Sequence, residues 1–347
     1  MSDRRLSVGA IESYLRCPRR YEFAHVQELH SDEADSPSTD RVDLLRRAIC
    51  DGLRTGETDP DSLESAVIER LSTLWSEYDE RFHSRAQREF ERRVLDATAR
   101  AYVDAVGAAH ASGLAKLRNT GRAGELVGPD LPLSSTVSVS TSSSAPSDAD
   151  DSLRSVALES AVDYVYGEGS SLVGVRFVPT IDSLGLLRYR SSWEGDVETL
   201  FADHFDPDDS TFEPGPVGAL LETAVVLDGL RELCDRLGLE GRTCRYLLIP
   251  LADRSQNSVN WVSETVETTV EGIDLTDIFI DHHTFGMTHE HRNGTIENRL
   301  ATVVEQLVSG SFDPSRQWDQ IESESCPDCG YAVCCPEYLS QEVRFDG

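Results

Sequence analysis

The sequence predicts an α/β protein with a helical N-terminal half and a cysteine knot near residue 330. Three observations lead to this fold class. Apolar side chains recur at helical spacing through the first hundred residues, apolar and polar side chains alternate from residue 153 onward, and three cysteines follow C-x2-C-x5-C spacing. We therefore expect a mixed central sheet flanked by helices. A length of 347 residues suits one large domain or two modest ones.

The first predicted part, residues 1–118, is helical. Ser7 is a suitable N-cap, and the residues after it form one apolar stripe: Val8, Ile11, Tyr14 and Leu15. Further helices are predicted over 41–53, 62–78 and 81–110.

Residues 119–152 are rich in Gly, Pro, Ser and Asp, and we expect a flexible insertion or surface hairpin outside the packed core. The α/β core is predicted over 153–310. Its strands are expected at 156–165, 172–178, 244–251 and 259–271, and its helices at 216–237 and 296–307. The last part, 311–347, carries the cysteine knot and is expected to pack on the N-terminal part.

The balance of acidic and basic residues indicates adaptation to a salt-rich environment. Acidic residues number 62 against 32 basic ones, the net charge is −30, and Lys116 is the only lysine. Such a composition is typical of proteins adapted to molar salt, where the Debye length is about 3 Å at 1 M and self-repulsion is screened. The charge does not exclude a nucleic-acid partner. No signal peptide and no apolar run near membrane-spanning length is visible, so we expect a cytoplasmic protein without a membrane partner.

The cysteine knot predicts a metal centre. Two residues separate Cys326 from Cys329, Cys335 follows, and Cys334 is an alternative third ligand. Cysteines in a reducing compartment favour metal over disulfides, and four thiolates suit zinc or an iron–sulfur cluster. The best fourth ligand is Cys17, in a Cys-Pro step at the other end of the sequence. The remaining cysteines are expected in the core: Cys50, Cys234 and Cys244.

The segment SVGAIESYLRCPRRY at residues 7–21, together with the late cysteines, resembles the PD-(D/E)XK nuclease superfamily, in its RecB-like branch that carries a 4Fe-4S cluster. The resemblance implies a restriction-endonuclease-like fold. It implies a 4Fe-4S cluster held by four ligands: Cys17, Cys326, Cys329 and Cys335. It also implies DNA as the partner, as a single strand or a duplex end, and a helicase or active nuclease as a companion. Structural zinc remains the alternative cofactor.

The catalytic residues of that family are only partly present. The chemistry needs a metal-binding Asp on one strand and an acid-x-Lys motif on the next. Asp163 matches the Asp, whereas Gly174-Val175-Arg176 stands where acid-x-Lys is expected, and an arginine does not give up its proton. Cys50 stands where a metal-binding His is common, and Glu222 where a Gln is common. We therefore predict a nuclease-like fold that has lost its hydrolytic centre.

Two other functions remain open. One is an active DNA exonuclease using Mg²⁺ or Mn²⁺, with Arg176 in place of the lysine and metal ligands from this set: Asp163, Glu159 and Asp182. The other is a zinc-binding or redox regulator that does not contact DNA. In the simplest structural interpretation, Asp163 is an acidic residue in a turn at the end of a strand. Arg176 is then a strand residue at the surface.

Two further groups are interpreted in two ways each. Four neighbouring residues either form a patch that contacts DNA or are surface residues exposed to solvent: Arg16, Arg19, Arg20 and Tyr21. A second metal site or a polar loop is predicted for five others: Asp281, His282, His283, His289 and His291.

Overall fold

The strands of this protein form a mixed sheet flanked by helices, as predicted. The computed structural model describes residues 5–29, 37–120, 125–140, 153–185, 187, 197–252, 257–260, 265–280 and 291–342. Within these ranges, no helix has both the length and the apolar character needed to cross a membrane.

The strands are β1 (Arg5–Ser7), β2 (Val127–Ser140), β3 (Leu153–Glu168), β4 (Ser171–Val178), β5 (Thr243–Pro250), β6 (Asn257–Asn260), β7 (Thr265–Thr268) and β8 (Ile273–Asp274). The helices are α1 (Val8–Arg16), α2 (Pro18–Tyr21), α3 (Pro37–Arg54), α4 (Pro60–Glu77), α5 (Arg85–Tyr102), α6 (Ala108–Thr120), α7 (Val197–Phe205), α8 (Pro214–Leu237), α9 (Leu275–Phe279), α10 (Gly294–Ser309), α11 (Trp318–Glu324) and α12 (Pro336–Glu342).

The main sheet has the order β1-β3-β4-β5-β8, and β2 pairs with β3. The β1–β3 and β4–β5 pairs are parallel, whereas β2–β3, β3–β4 and β5–β8 are antiparallel. The β6–β7 hairpin forms a separate two-stranded sheet that packs on α5. A long β3 therefore holds three neighbouring strands in register.

Helices cover both faces of the sheet at close range. The β3–β4 register pairs Tyr166 with Val173, which puts Tyr166 and Gly174 on opposite faces, because successive side chains alternate. At Gly113 of α6, a Cβ would lie 2.9 Å from the Tyr166 ring, and at Gly174 a Cβ would lie 3.0 Å from Leu230 of α8. The two helices thus enclose the central strands between them.

The predicted helices and core strands are confirmed, with differences at their ends. The Ser7 hydroxyl caps α1 by accepting a hydrogen bond from the Ala10 N–H at 3.1 Å. The long helix expected over 81–110 is divided by a π-helical turn at Val103–Gly107 into α5 and α6. The strand expected over 259–271 is instead the β6–β7 hairpin.

The segment 119–152 differs from the flexible insertion that we expected. Its residues 127–140 form β2, which pairs with β3 along most of its length and buries Val127, Leu133 and Val139. The two strands supply each other's hydrogen bonds, so serine-rich stretches on one face do not prevent pairing. Residues 121–124 and 141–152 lie outside the described ranges.

A buried polar cluster joins α5 and α6 to β3. His110 accepts a hydrogen bond from the Tyr164 hydroxyl at 2.6 Å, Tyr102 donates to the same hydroxyl at 2.9 Å, and the imidazole stacks on Tyr166. Burial lowers the pKa of His110 to about 4, and burial also lowers the pKa of His204 to about 4. Both imidazoles are therefore neutral in the folded protein near neutral pH.

Acidification is expected to destabilise the fold through these two histidines. Both have a folded pKa below the unfolded value of about 6.5, so the unfolded chain takes up protons first as the pH falls. As the pH falls from 6.5 to 4, each histidine should lower the free energy of unfolding by about 3 kcal/mol. Urea unfolding at several pH values measures this slope, and His110→Phe should make it shallower by about one proton. An unchanged slope in that variant would contradict the neutral state assigned to His110.

Candidate functional site

Four cysteines from opposite ends of the sequence line one cavity of about 20 Å³: Cys17, Cys326, Cys329 and Cys335. Cys17 lies between α1 and α2, the next two follow α11, and Cys335 precedes α12. The volume exceeds what one water molecule requires. The arrangement therefore unites the four residues that the sequence singled out as ligands.

Proline steps position two of these thiols in the same way. Pro18 begins α2 directly after Cys17, and Pro336 begins α12 directly after Cys335. Proline suits the first helical position, where its missing N–H is not needed. Each cysteine consequently stands at the start of a helix, where free backbone N–H groups face its sulfur. The N–H groups of Arg20 and Arg19 act to lower the pKa of the Cys17 thiol.

Burial nevertheless dominates the thiol pKa values. It raises the pKa of Cys17 to about 11 and that of Cys326 to about 12, and the neighbouring cysteines add to both shifts. Negative charge on four close thiolates is unfavourable unless a cation compensates it. Metal binding would reverse this preference, because thiolates are the ligating form.

Direct contacts fasten the N-terminal segment to the cysteine knot. The Tyr14 hydroxyl donates to the Ser311 carbonyl at 2.9 Å, and Arg19 donates to the Glu337 carboxylate at 2.5 Å. The Tyr331 hydroxyl donates to the Leu29 carbonyl at 2.9 Å. The cavity is thus enclosed by elements held together independently of any metal.

The side chains that line the cavity include the thiols that a soft metal centre would need. Aromatic side chains shield the cavity from water: Phe23, Trp318, Tyr331 and Tyr338. Arg19 and Arg20 also line it, and four thiolates outweigh the positive charge of a zinc ion or of a cluster core. The donor set of four cysteines suits both groups. Arg19 already pairs with Glu22 and Glu337, so its charge is offset by these carboxylates before any metal binds.

Cys334 stands apart from this cavity. It is exposed, and its thiol donates to the Tyr331 carbonyl at 3.3 Å. Across the described ranges, no three His, Cys, Asp or Glu side chains are grouped closely enough to hold a single metal ion. The four lining cysteines surround a space rather than one point.

Asp163 is fully buried, and protein groups already satisfy its carboxylate. Arg46 of α3 donates to Oδ1 from Nε at 3.0 Å and from a terminal nitrogen at 2.8 Å, and the Phe177 N–H donates to Oδ2 at 2.6 Å. Asp130 also accepts from Arg46, at 2.7 Å. Burial raises the pKa of Asp163, while Arg46 and the Phe177 N–H act in the opposite direction.

Helix α3 presents the side chains that face Asp163. Arg46 and Cys50 are one turn apart on this helix, so they share a face. The Cys50 thiol lies 3.6 Å from the backbone carbonyl of Asp163 and is completely buried. This helix therefore offers a cation and a neutral thiol at the position where the resemblance led us to expect a metal-binding His.

Arg176 forms an ion pair with Glu222 of α8, and Tyr246 of β5 donates to the same carboxylate at 2.9 Å. The arginine side chain is 41% exposed. At Gly174, a Cβ would lie 3.0 Å from Leu230 and 3.3 Å from Val162, so the packing leaves little room for a carboxylate side chain. At the acid-x-Lys position, Gly174 therefore allows close packing against α8, and Arg176 forms an ion pair with Glu222.

The proposed arginine patch near Cys17 is largely occupied by other contacts. Arg16 pairs with Glu12, Arg19 pairs with Glu22 and Glu337, and Arg20 lines the cysteine cavity. Tyr21 is buried, with its ring 5.4 Å from that of Phe312. Tyr21 therefore lies in the core rather than on a surface.

The other predicted site residues are dispersed. Glu159 pairs with Arg5 at the surface, and Asp182 is exposed. His291 donates from Nδ1 to the Cys244 carbonyl at 2.9 Å. Residues 281–283 and 289 lie outside the described ranges. The three cysteines assigned to the core are buried, as predicted: Cys50, Cys234 and Cys244.

Sequence reasoning missed Arg46 and Asp130 as neighbours of Asp163. The only local signal is Gly128-Pro129-Asp130, a bulge in β2 where Asp130 adopts φ +60° and directs its carboxylate to Arg46. No family model matches the sequence, and no curated protein was found to match it.

Proposed function

We propose that this protein is a non-catalytic DNA-binding or scaffolding relative of the PD-(D/E)XK nucleases, with a restriction-endonuclease-like fold and a 4Fe-4S cluster. The convergence of Cys17 with Cys326, Cys329 and Cys335 around one cavity carries the proposal. Such a centre would join two segments that lie far apart in sequence and would close the domain between them.

We assign the cysteine site to a cluster and keep structural zinc as the alternative. A single zinc ion draws four sulfurs to about 2.3 Å from one point. A four-iron cluster spreads its ligands over a wider space. The four cysteines line one cavity, and the resemblance to the iron–sulfur branch is the reason for assigning them to the cluster. The role of the centre would be structural.

The contacts of Asp163 support the loss of hydrolysis. A catalytic Mg²⁺ or Mn²⁺ would need this carboxylate, but Arg46 occupies Oδ1 and the Phe177 N–H occupies Oδ2. Arg176 and Val178 flank Phe177 in the strand, and neither provides a second acid. A guanidinium in place of a metal ion keeps the fold intact without activating water. In this proposal, the protein acts with a helicase or an active nuclease.

Purified protein should bind labelled DNA without cutting it. We expect no products with Mg²⁺ or Mn²⁺ across a series of KCl concentrations, together with binding that weakens as salt rises, because counterions compete for phosphates. Gel analysis of products and fluorescence anisotropy provide the two readouts.

Three outcomes separate the alternatives. Metal-dependent cleavage that Asp163→Ala abolishes would establish an active exonuclease. Absence of DNA binding at every KCl concentration would favour a zinc-binding or redox regulator. Binding without cleavage supports the proposal.

A further inference from the structure

Residues 81–93, which follow the acidic residues Glu77, Asp79 and Glu80 and include the first half of α5, carry a net positive charge on a strongly acidic protein. Residues 81–93 contain five arginines and two glutamates, whereas the whole chain has 32 basic and 62 acidic residues. Four of these arginines are exposed: Arg81, Arg85, Arg88 and Arg93. A local excess of positive charge on a strongly acidic protein indicates an anionic partner.

The contacts of Arg85 and Arg88 leave their charge available at the surface. The Arg85 side chain is 92% exposed, and its partner Glu89 is 55% exposed. An ion pair this exposed contributes little free energy, so a phosphate can replace the carboxylate at little cost. Arg88 lies over the Trp75 ring, with its guanidinium carbon 5.8 Å from the ring centroid, which orients it without neutralising it.

A groove of about 260 Å³ lies beside these arginines, between α5 and the β6–β7 hairpin. Its walls are mostly apolar and include one aromatic ring: Ala86, Phe90, Val259 and Val266 line it, with Glu89, Arg93 and Thr265. Aromatic side chains next to arginines are the combination that binds unpaired bases and their backbone. The groove is somewhat smaller than a drug-sized site of roughly 300–1,000 Å³, which suits one planar base.

We infer that this surface binds single-stranded nucleic acid, with phosphates on Arg81, Arg85 and Arg88 and a base in the groove against Phe90. The inference rests on the proposed function and identifies its DNA-binding surface. It replaces the patch around Cys17, whose arginines face carboxylates and the cysteine cavity. A duplex keeps its bases stacked inside, so the surface should prefer unpaired strands.

Anisotropy titrations of a labelled oligothymidine and of a duplex of equal length test this assignment over a KCl series. The double variant Arg81→Ala/Arg85→Ala should bind the single strand roughly tenfold more weakly, with a salt slope smaller by about 0.7 for each arginine lost. Phe90→Leu keeps the apolar volume but removes the ring face, and should weaken binding roughly tenfold at every salt concentration. Lys116→Ala/Arg118→Ala makes the same charge change at exposed positions of α6 and should bind as the unmodified protein does.

The outcomes distinguish this surface from the proposed function. If the unmodified protein binds DNA and both double variants match it in affinity and salt slope, the assignment of binding to the α5 surface is wrong. DNA binding by the protein would still stand. If Phe90→Leu changes nothing, or if duplex binds as tightly as the single strand, the base groove is wrong. If the unmodified protein binds no DNA at all, the proposed function fails and this inference fails with it.

Discussion

Cys17→Ser should remove the visible absorption of the anaerobically purified protein and destabilise its fold by more than about 4 kcal/mol. Cys17 is one of the four cysteines that line the cavity, and it alone comes from the N-terminal segment. Losing it would open the coordination shell and release the connection between α1 and the cysteine knot. Absorption spectra, iron and sulfide content, and thermal unfolding measure the two effects.

Cys334→Ser is the matched control. This cysteine directly precedes Cys335 but is exposed and does not line the cavity. We expect full colour and an unfolding free energy within about 0.5 kcal/mol of the unmodified protein. A coloured, fully stable Cys17→Ser protein would remove Cys17 from the centre. A colourless unmodified protein with stoichiometric zinc would replace the cluster with zinc and keep the connection.

Arg46→Ala should lower the free energy of unfolding by about 3–5 kcal/mol, because it leaves the buried Asp163 carboxylate without its countercharge. The guanidinium makes two hydrogen bonds to Oδ1 of Asp163 and one to Asp130. Removing one partner of a buried pair costs more than the pair itself contributes. Urea unfolding near neutral pH measures the loss.

Arg47→Ala is the control for this effect. Arg47 is the next residue of α3, its side chain is 53% exposed, and it pairs with Asp43. Its removal should change stability by less than about 0.5 kcal/mol. The double variant Arg46→Leu/Asp163→Asn should lose less than Arg46→Ala, since no charge is left unpaired. Equal losses for Arg46→Ala and Arg47→Ala would contradict a structural role for the Arg46–Asp163 pair.

The regular elements were predictable where the local pattern was strong. Helix α8 and strands β3, β4 and β5 follow from apolar spacing, and the α1 cap follows from Ser7. Strand β2 was missed because its serines and prolines suggest a loop, whereas β3 satisfies its backbone groups. The π-helical turn inside the predicted long helix has no comparable signature.

The candidate site was likewise predictable in part, where its residues are close in sequence. The spacing of Cys326, Cys329 and Cys335 is local, and the Cys17-Pro18 step repeats the Cys335-Pro336 step. By contrast, Arg46 and Asp163 are 117 residues apart and meet only across the α3–β3 interface. The choice between Cys334 and Cys335 also depends on which way each thiol points.

The amino-acid sequence alone determined most helices and the core strands, the acidic net charge and the four candidate cysteines, because each depends on residue types at short spacing. Tertiary structure decided that the four candidate cysteines line one cavity and that Arg46 donates hydrogen bonds to the carboxylate of Asp163. It also decided that an exposed basic surface lies beside a groove on α5. These features depend on distances between segments remote in sequence, which only packing around the sheet establishes.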